Sequence, residues 1–167
     1  MTDRIRTLPH SANFRRVLGQ LPTGVVVIAG GEPDCPSGMV CGSFMSVSLV
    51  PPLVAVAPQK SSTSWPKIEA AGMFCANVLR AGQEQLAQRF ATSATTGVDK
   101  FAGVAWTPAP VSGAPMLEDV AAWIDCRIHK RIDAGDHWLV LGEVLEFSVV
   151  SESGALVFHG GAFRPLS

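Results

Sequence analysis

Much of what usually announces a protein's chemistry is absent from this chain. No apolar run approaches the ~20 residues that a membrane helix needs, so no membrane partner is expected. The first ten residues carry Asp3, Arg4 and Arg6 and no apolar core of a signal peptide, which predicts a cytoplasmic protein. Charged residues make up only 16% of the 167, with 13 basic against 14 acidic, so no nucleic-acid surface is expected either. The four cysteines (Cys35, Cys41, Cys75 and Cys126) show neither C-x-x-C nor C-x-x-H spacing. They read as buried free thiols, and no metal site is indicated. There is no G-x-G-x-x-G after a strand, no G-x-x-x-x-G-K-[ST], no G-x-S-x-G and no H-E-x-x-H. These absences argue against a Rossmann or P-loop nucleotide enzyme. No general acid–base pair stands out.

What the chain does have is apolar substance. Hydrophobic residues reach 47% and mean hydropathy is +0.27, high for a protein with so much surface per unit volume. One domain with its own core follows, with residues 1–11 as an N-terminal extension and 12–167 as the folded unit. The apolar excess predicts a homodimer that buries it between copies.

Periodicity gives many strands and few helices. Ser11 can cap a short helix to Gln20 with Phe14, Val17 and Leu18 on its apolar side. Strands are predicted over 25–29, 37–48, 53–57 and 73–79, with a turn over 30–36 and a bend at Pro51-Pro52. Helices are predicted over 65–70, where Pro66 suits the first turn, and 83–91. Residues 92–119 read as an ordered connection anchored by Phe101, Val104, Trp106 and Leu117. From Ala121 to Ile132 apolar residues alternate with Asp125, Arg127, His129 and Arg131. A turn over 133–136 leads to the return strand 137–147, and two short strands (155–158, 162–165) close the chain. About eight strands joined mainly as hairpins predict a mainly β (α+β) fold, an antiparallel barrel with helices at its rim.

Two segments carry candidate chemistry. From Gly38 to Leu49, small and hydroxylated residues alternate with apolar ones. Such a strand packs one face and offers the other to a flat, polar ligand, and its glycines mark a close approach. The hydroxyl run Ser61, Ser62, Thr63, Ser64 opens the helix at Trp65. It can cap that helix or bind an anion at its start, with Lys60 or Lys67 in reach.

The ordered set of motifs resembles the short-chain flavin reductase family. It comprises Pro22-Thr23-Gly24-Val25, the 38–53 segment with Pro51-Pro52, Ser62-x-Ser64-Trp65 and Phe74-x-x-Asn77-Val78-Leu79. It continues with Gln83-x-x-Leu86-Ala87-x-x-Phe90, Lys100-Phe101-x-Gly103-Val104, Gly135-Asp136-His137 and the closing Leu156 to Arg164. The resemblance implies an FMN-binding type of antiparallel split β-barrel, a homodimer, that reduces FMN or FAD with NADH or NADPH. The reduced flavin would pass to a separate flavin-dependent monooxygenase. Hydride transfer suits a chain without acid–base machinery, since the cofactors carry the reactivity and the protein aligns them.

By the same resemblance, Gly38, Met39, Val40, Cys41, Gly42 and Ser43, with Ser46, Val47 and Ser48, line the flavin. Ser61, Ser62, Thr63 and Ser64 lie at its phosphate, and Ala76, Asn77 and Val78 lie along its ring. Arg89 is either a phosphate partner or a solvated helix-end residue. His137 is the candidate catalytic residue on the nicotinamide side, with Phe158, His159 and Phe163 at the same edge. Val40 and Gly42 depart from the family's polar residues there, and no tyrosine occupies the usual place near the C-terminus. Two other readings remain open: a non-catalytic flavin-binding protein, and a pyridoxamine-phosphate-oxidase-like or deazaflavin-dependent reductase.

Overall fold

The computed structural model describes residues 11–93 and 98–166. The extension assigned to residues 1–11 falls almost wholly outside this range, as does any capping by the Ser11 side chain. Three helices are described: α1 (Ser11–Leu18), α2 (Trp65–Ala71) and α3 (Glu84–Ala91). The first six strands are β1 (Thr23–Gly24), β2 (Val26–Glu32), β3 (Cys35–Cys41), β4 (Met45–Leu49), β5 (Pro52–Val56) and β6 (Met73–Val78). The other six are β7 (Trp106–Pro108), β8 (Pro115–Leu117), β9 (Ala122–Ala134), β10 (His137–Val149), β11 (Leu156–His159) and β12 (Ala162–Pro165).

Seven strands form one antiparallel sheet in the order β3-β2-β6-β9-β10-β5-β4. Its two edge strands follow one another in the chain through 42–44, where the barrel is split rather than closed by a ladder. This is the mainly β, antiparallel split barrel with short helices that the sequence predicts. The apolar run Val25 to Ala29 alternates between two cores. Val26 and Ile28 point into the barrel with Val54, Val56, Phe74, Cys126, Val140 and the α2 residues Trp65 and Ile68. Val25, Val27 and Ala29 point outward beneath α3, Phe101, Leu117 and Leu156. A strand covered on both faces has no polar side to show, hence its unbroken apolar sequence.

The long β9–β10 hairpin turns on Gly135, whose φ of 76° suits the first position of a two-residue turn. Register shifts at Leu141/Gly142 and Val144/Glu146 mark bulges, which bend the hairpin around the barrel. Gly142 makes room for Phe74 inside: a Cβ there would sit 2.7 Å from the Phe74 ring.

Several expectations are corrected. The predicted turn over 30–36 is a paired continuation of β2 and β3, with only Pro33 and Asp34 turning. Pro36 is tolerated because β3 is an edge strand. The single strand over 37–48 is two strands broken at 42–44, and Pro51 lies in the turn of the β4–β5 hairpin. The 92–119 connection contains the β7–β8 hairpin; with it, the short β1 and the division of 37–48, twelve strands are described rather than about eight. Asp125, expected on the polar face of β9, is fully buried. The 109–114 loop covers that face, and Asp125 Oδ2 accepts the Val111 and Ser112 N–H groups at 3.0 Å each.

Candidate functional site

A cavity of about 700 Å³ opens beside the split of the barrel, lined by five chain segments. The end of β3 and the following turn supply Met39, Val40, Cys41, Gly42 and Ser43. Ala57, Gln59 and Ser61 to Ser64 come from the connection into α2, and Phe90 to Ser93 from the end of α3. Lys100 and His137 complete it. The connection is held by pairing of Gln59 with His137 and by the Trp138 N–H donated to Pro58 O at 2.9 Å. The β10 strand thus fixes two walls at once.

The hydroxyl run does several different jobs. Ser62 Oγ accepts the Ser64 and Trp65 N–H groups at 3.3 and 3.1 Å, capping α2. Its own hydroxyl points to Met39 Sδ at 3.8 Å, a weak acceptor. Ser64 is buried, and its Oγ accepts from the Lys100 ammonium at 3.3 Å. Ser61 and Thr63 are exposed at the cavity wall.

His137, at the start of β10, keeps a side chain 34% exposed, with Nδ1 2.7 Å from Asp136 Oδ1. That hydrogen bond, together with the imidazole's charge, holds the Asp136 carboxyl below its ordinary range. Cys41 is half-buried; desolvation pushes its thiol up to about 11, against a lowering by hydrogen bonds from Ser43. It is a neutral wall group at physiological pH rather than a nucleophile.

Other predicted residues are placed elsewhere. Gly38 is buried below the wall, where a Cβ would come within 2.6 Å of the Phe90 ring. Its bareness serves the packing of α3, not the approach of a ligand. Gly42 likewise admits Thr23, whose Oγ1 would lie 2.5 Å from a Cβ. Ser46, Val47 and Ser48 lie on the edge strand β4, outside the cavity lining. Ala76 is in the barrel interior and Val78 packs against the same core. Asn77 is fully buried on the opposite face. Its amide N–H groups serve Val27 O, Cys75 O and Pro115 O, and its Oδ1 accepts Leu117 N–H. A polar residue in an apolar strand is here explained by backbone that it satisfies, not by a ligand. Arg89 is on α3 but outside the lining, which takes Phe90 and Ala91 from that helix. Lys60 is held by Asp133 at 2.7 Å and lies over the Trp138 ring, and Lys67 is exposed on α2.

Phe158 and Phe163, in edge-to-face contact at 5.2 Å, line a second groove of about 240 Å³. It is almost wholly apolar and shares Val40, Cys41, Gly42 and Ala91 with the larger cavity. His159, at the end of β11, lines neither. Sequence reasoning missed Gln59, the α3 end and above all Lys100. A lone lysine amid Phe101 and Val104 was the available signal.

Comparison with known proteins accords with this geometry. A family model for the flavin reductase like domain matches residues 18–167. A flavin reductase of Pseudomonas putida is 51% identical over 151 residues, 90% of this chain and 86% of the relative. HsaB, the reductase subunit of a flavin-dependent monooxygenase in Rhodococcus jostii, is 43% identical over 90% of this chain and 75% of its own. Among solved structures, the NADH:FAD oxidoreductase SgcE6 of Streptomyces globisporus superposes with a TM-score of 0.88 at 38% identity, covering 96% of both chains. With a family match across nearly the whole fold, the chain belongs to the flavin reductase-like family.

Proposed function

We propose that this protein is an NAD(P)H-dependent flavin reductase that reduces FMN or FAD by hydride transfer and supplies the product to a separate monooxygenase. The carrying observation is the cavity itself, which fits a flavin in size and in donor chemistry. Its volume lies in the range of cofactor sites. Met39, Val40 and Phe90 bring apolar lining, while Ser61 to Ser64 and Lys100 bring hydroxyl and ammonium groups. His137 is part of the lining, on the side where a second ring would stack. A bound flavin would supply the redox chemistry, and the chain would position the reactants. His137, oriented by Asp136, would hydrogen-bond the nicotinamide side. Phe158 and Phe163 would give that edge an apolar shelf next to Val40 and Gly42. NADH is the reductant in the name of SgcE6, which is also solved with NAD and FAD fragments.

The monooxygenase partner is supported by HsaB and by BorF, the flavin reductase component of a two-component tryptophan halogenase, as relatives that work with a second component. A homodimer is supported by apolar surface left open on one copy. On α1, Phe14, Val17 and Leu18 face away from the protein's own core, Val17 at 65% exposure. Val50 at the β4–β5 turn is 92% exposed, and Phe147 and Val149 are open on β10. A cytoplasmic setting suits four cysteines that are all free. No helix among the described residues is long and apolar enough to cross a membrane.

Purified protein mixed with NADH and FMN or FAD, followed at 340 nm, tests the reading. Steady NADH oxidation dependent on added flavin supports it. Flavin binding without NADH oxidation would instead establish a storage or sensing protein.

A further inference from the structure

We propose that Gln59 is a further substrate-binding residue of this site: paired with His137 across two strands, its side-chain amide donates to the carboxamide oxygen of the nicotinamide. The inference rests on the flavin reductase reading above and adds a residue to it, on the reductant side of the cavity.

The backbone fixes the two residues opposite each other. Gln59 and His137 form an antiparallel bridge. On either side of it the Trp138 N–H donates to Pro58 O and the Lys60 N–H to Asp136 O, each at 2.9 Å. The bonds fall on the flanking residues and none joins Gln59 to His137, so this is a non-hydrogen-bonded pair. Such a pair brings its Cα atoms to about 4.5 Å and sets its side chains next to each other on one face. Here that face is the cavity, which both residues line.

Their neighbours hold the bridge from behind. Alternation turns Lys60 and Trp138 to the opposite face, where the Lys60 ammonium stands 4.5 Å over the Trp138 ring. That ring packs against the barrel core and carries Arg131 at 4.0 Å, while Lys60 also reaches Asp133 at 2.7 Å. Gln59 O accepts the Ser62 N–H at 3.0 Å, which starts the turn into the hydroxyl run. None of these contacts uses the Gln59 side chain.

The two side chains offer complementary groups. Asp136 Oδ1 lies 2.7 Å from His137 Nδ1 and, as a carboxylate, can only accept, so that nitrogen carries a proton. The neutral imidazole then presents Nε2 as an acceptor. The Gln59 amide is exposed and makes no hydrogen bond among the described residues, so its N–H donors are free. An acceptor beside a donor matches a primary carboxamide, whose amino group would meet His137 and whose oxygen would meet Gln59. Ser43, which lines the same cavity, is taken up by Ala57, whose N–H it accepts at 3.0 Å. The imide edge of a flavin also presents carbonyls beside an N–H. The pairing of Gln59 with His137 favours the nicotinamide.

Steady-state kinetics of the parent, Gln59→Leu and His137→Ala with two reductants test this. One is NADH; the other is its reduced 3-acetylpyridine analogue, which keeps the oxygen and has a methyl in place of the amino group. FMN dissociation constants are read alongside from flavin fluorescence. Gln59→Leu should lower kcat/KM about five- to tenfold with both reductants, as one lost hydrogen bond implies. His137→Ala should lower it for NADH and by much less for the analogue. Gln59→Glu, of the same length but without a donor, should be impaired at least as much as Gln59→Leu. FMN affinity and melting temperature should stay parental in both Gln59 variants, since the side chain holds no part of the fold. Parental kinetics in either Gln59 variant would overturn the proposal, as would a defect with NADH alone, which would place Gln59 at the amino group. A loss of FMN affinity matching the loss in kcat/KM would also overturn it and move Gln59 to the flavin. A parent that oxidises neither reductant with FMN or FAD defeats the functional reading itself, and the proposal falls with it.

Discussion

Asn77→Ala should weaken the fold and spare the flavin site. The Asn77 side chain is fully buried and bridges three parts of the chain. Its Nδ2 donates to Val27 O at 3.3 Å, Cys75 O at 3.2 Å and Pro115 O at 3.2 Å, and its Oδ1 accepts Leu117 N–H at 2.8 Å. Truncation strands the Leu117 N–H in a dry environment, which costs ~1–3 kcal/mol. The carbonyls lose a donor and a small void opens, so the total is about 3 kcal/mol. For a domain of this size that corresponds to a fall in Tm of roughly 10 °C. Calorimetry at matched protein concentration measures it, because a dimer's Tm depends on concentration. Asn77→Asp should be worse at neutral pH, placing a carboxylate against three carbonyl oxygens. Its defect should ease as pH falls, since a protonated carboxyl restores one donor. Flavin affinity, measured well below both transitions, should match the parent. A variant with the parental Tm and no flavin affinity would refute this account and return Asn77 to the ligand.

Three further outcomes are expected. His137→Ala should lower kcat/KM for NADH about tenfold, equivalent to ~1.4 kcal/mol, with flavin affinity intact; parental kinetics would make His137 a structural residue. Phe14→Asp combined with Val17→Asp should shift the sedimenting species from dimer to monomer, and a parent that is already monomeric at micromolar concentration would remove the basis for this. Iodoacetamide should label exposed Cys35 first, while Cys41, with its thiol at about 11, should react about a hundredfold more slowly than an ordinary thiol near pH 8. Equal rates at the two cysteines would show that Cys41 is not desolvated.

The barrel was legible because its signals are local. The apolar run of β2 and the alternation of β9 state which faces are covered, and the Gly135 turn states where the chain reverses. The site was legible only where its segments carry their own pattern, as Met39 to Ser43 and Ser61 to Ser64 do. Glycines were the least transparent. A glycine reports that something comes close but not what, and at Gly38 and Gly42 the close neighbours are Phe90 and Thr23. Buried polar residues misled in the same way. Asn77 and Asp125 look like surface or ligand groups because the backbone they satisfy between 111 and 117 lies 38 or more and 13 or more residues away, in a connection with no periodicity of its own.

That loop connects the structural and functional residues more closely than their sequence positions suggest. The connection from the end of α3 to β9 is pinned at Phe101 by Phe90, at 111–112 by Asp125 and at 115–117 by Asn77. Its far half covers the outer face of β6 and β9 with Ala109, Ala114, Met116 and Trp123 around Cys75. Its near half delivers Lys100 to the cavity floor. Loosening the far anchors releases the cover of β6, which holds no cavity residue. Loosening Phe101 moves Lys100, the one lysine among the described residues that lines the cavity. Phe101→Ala should therefore weaken FMN binding and lower the Tm together, whereas Asn77→Ala lowers the Tm alone. The separation follows from where each anchor sits along one connection. FMN affinity that falls equally in both variants, measured while both are folded, would show that the connection moves as a single rigid piece.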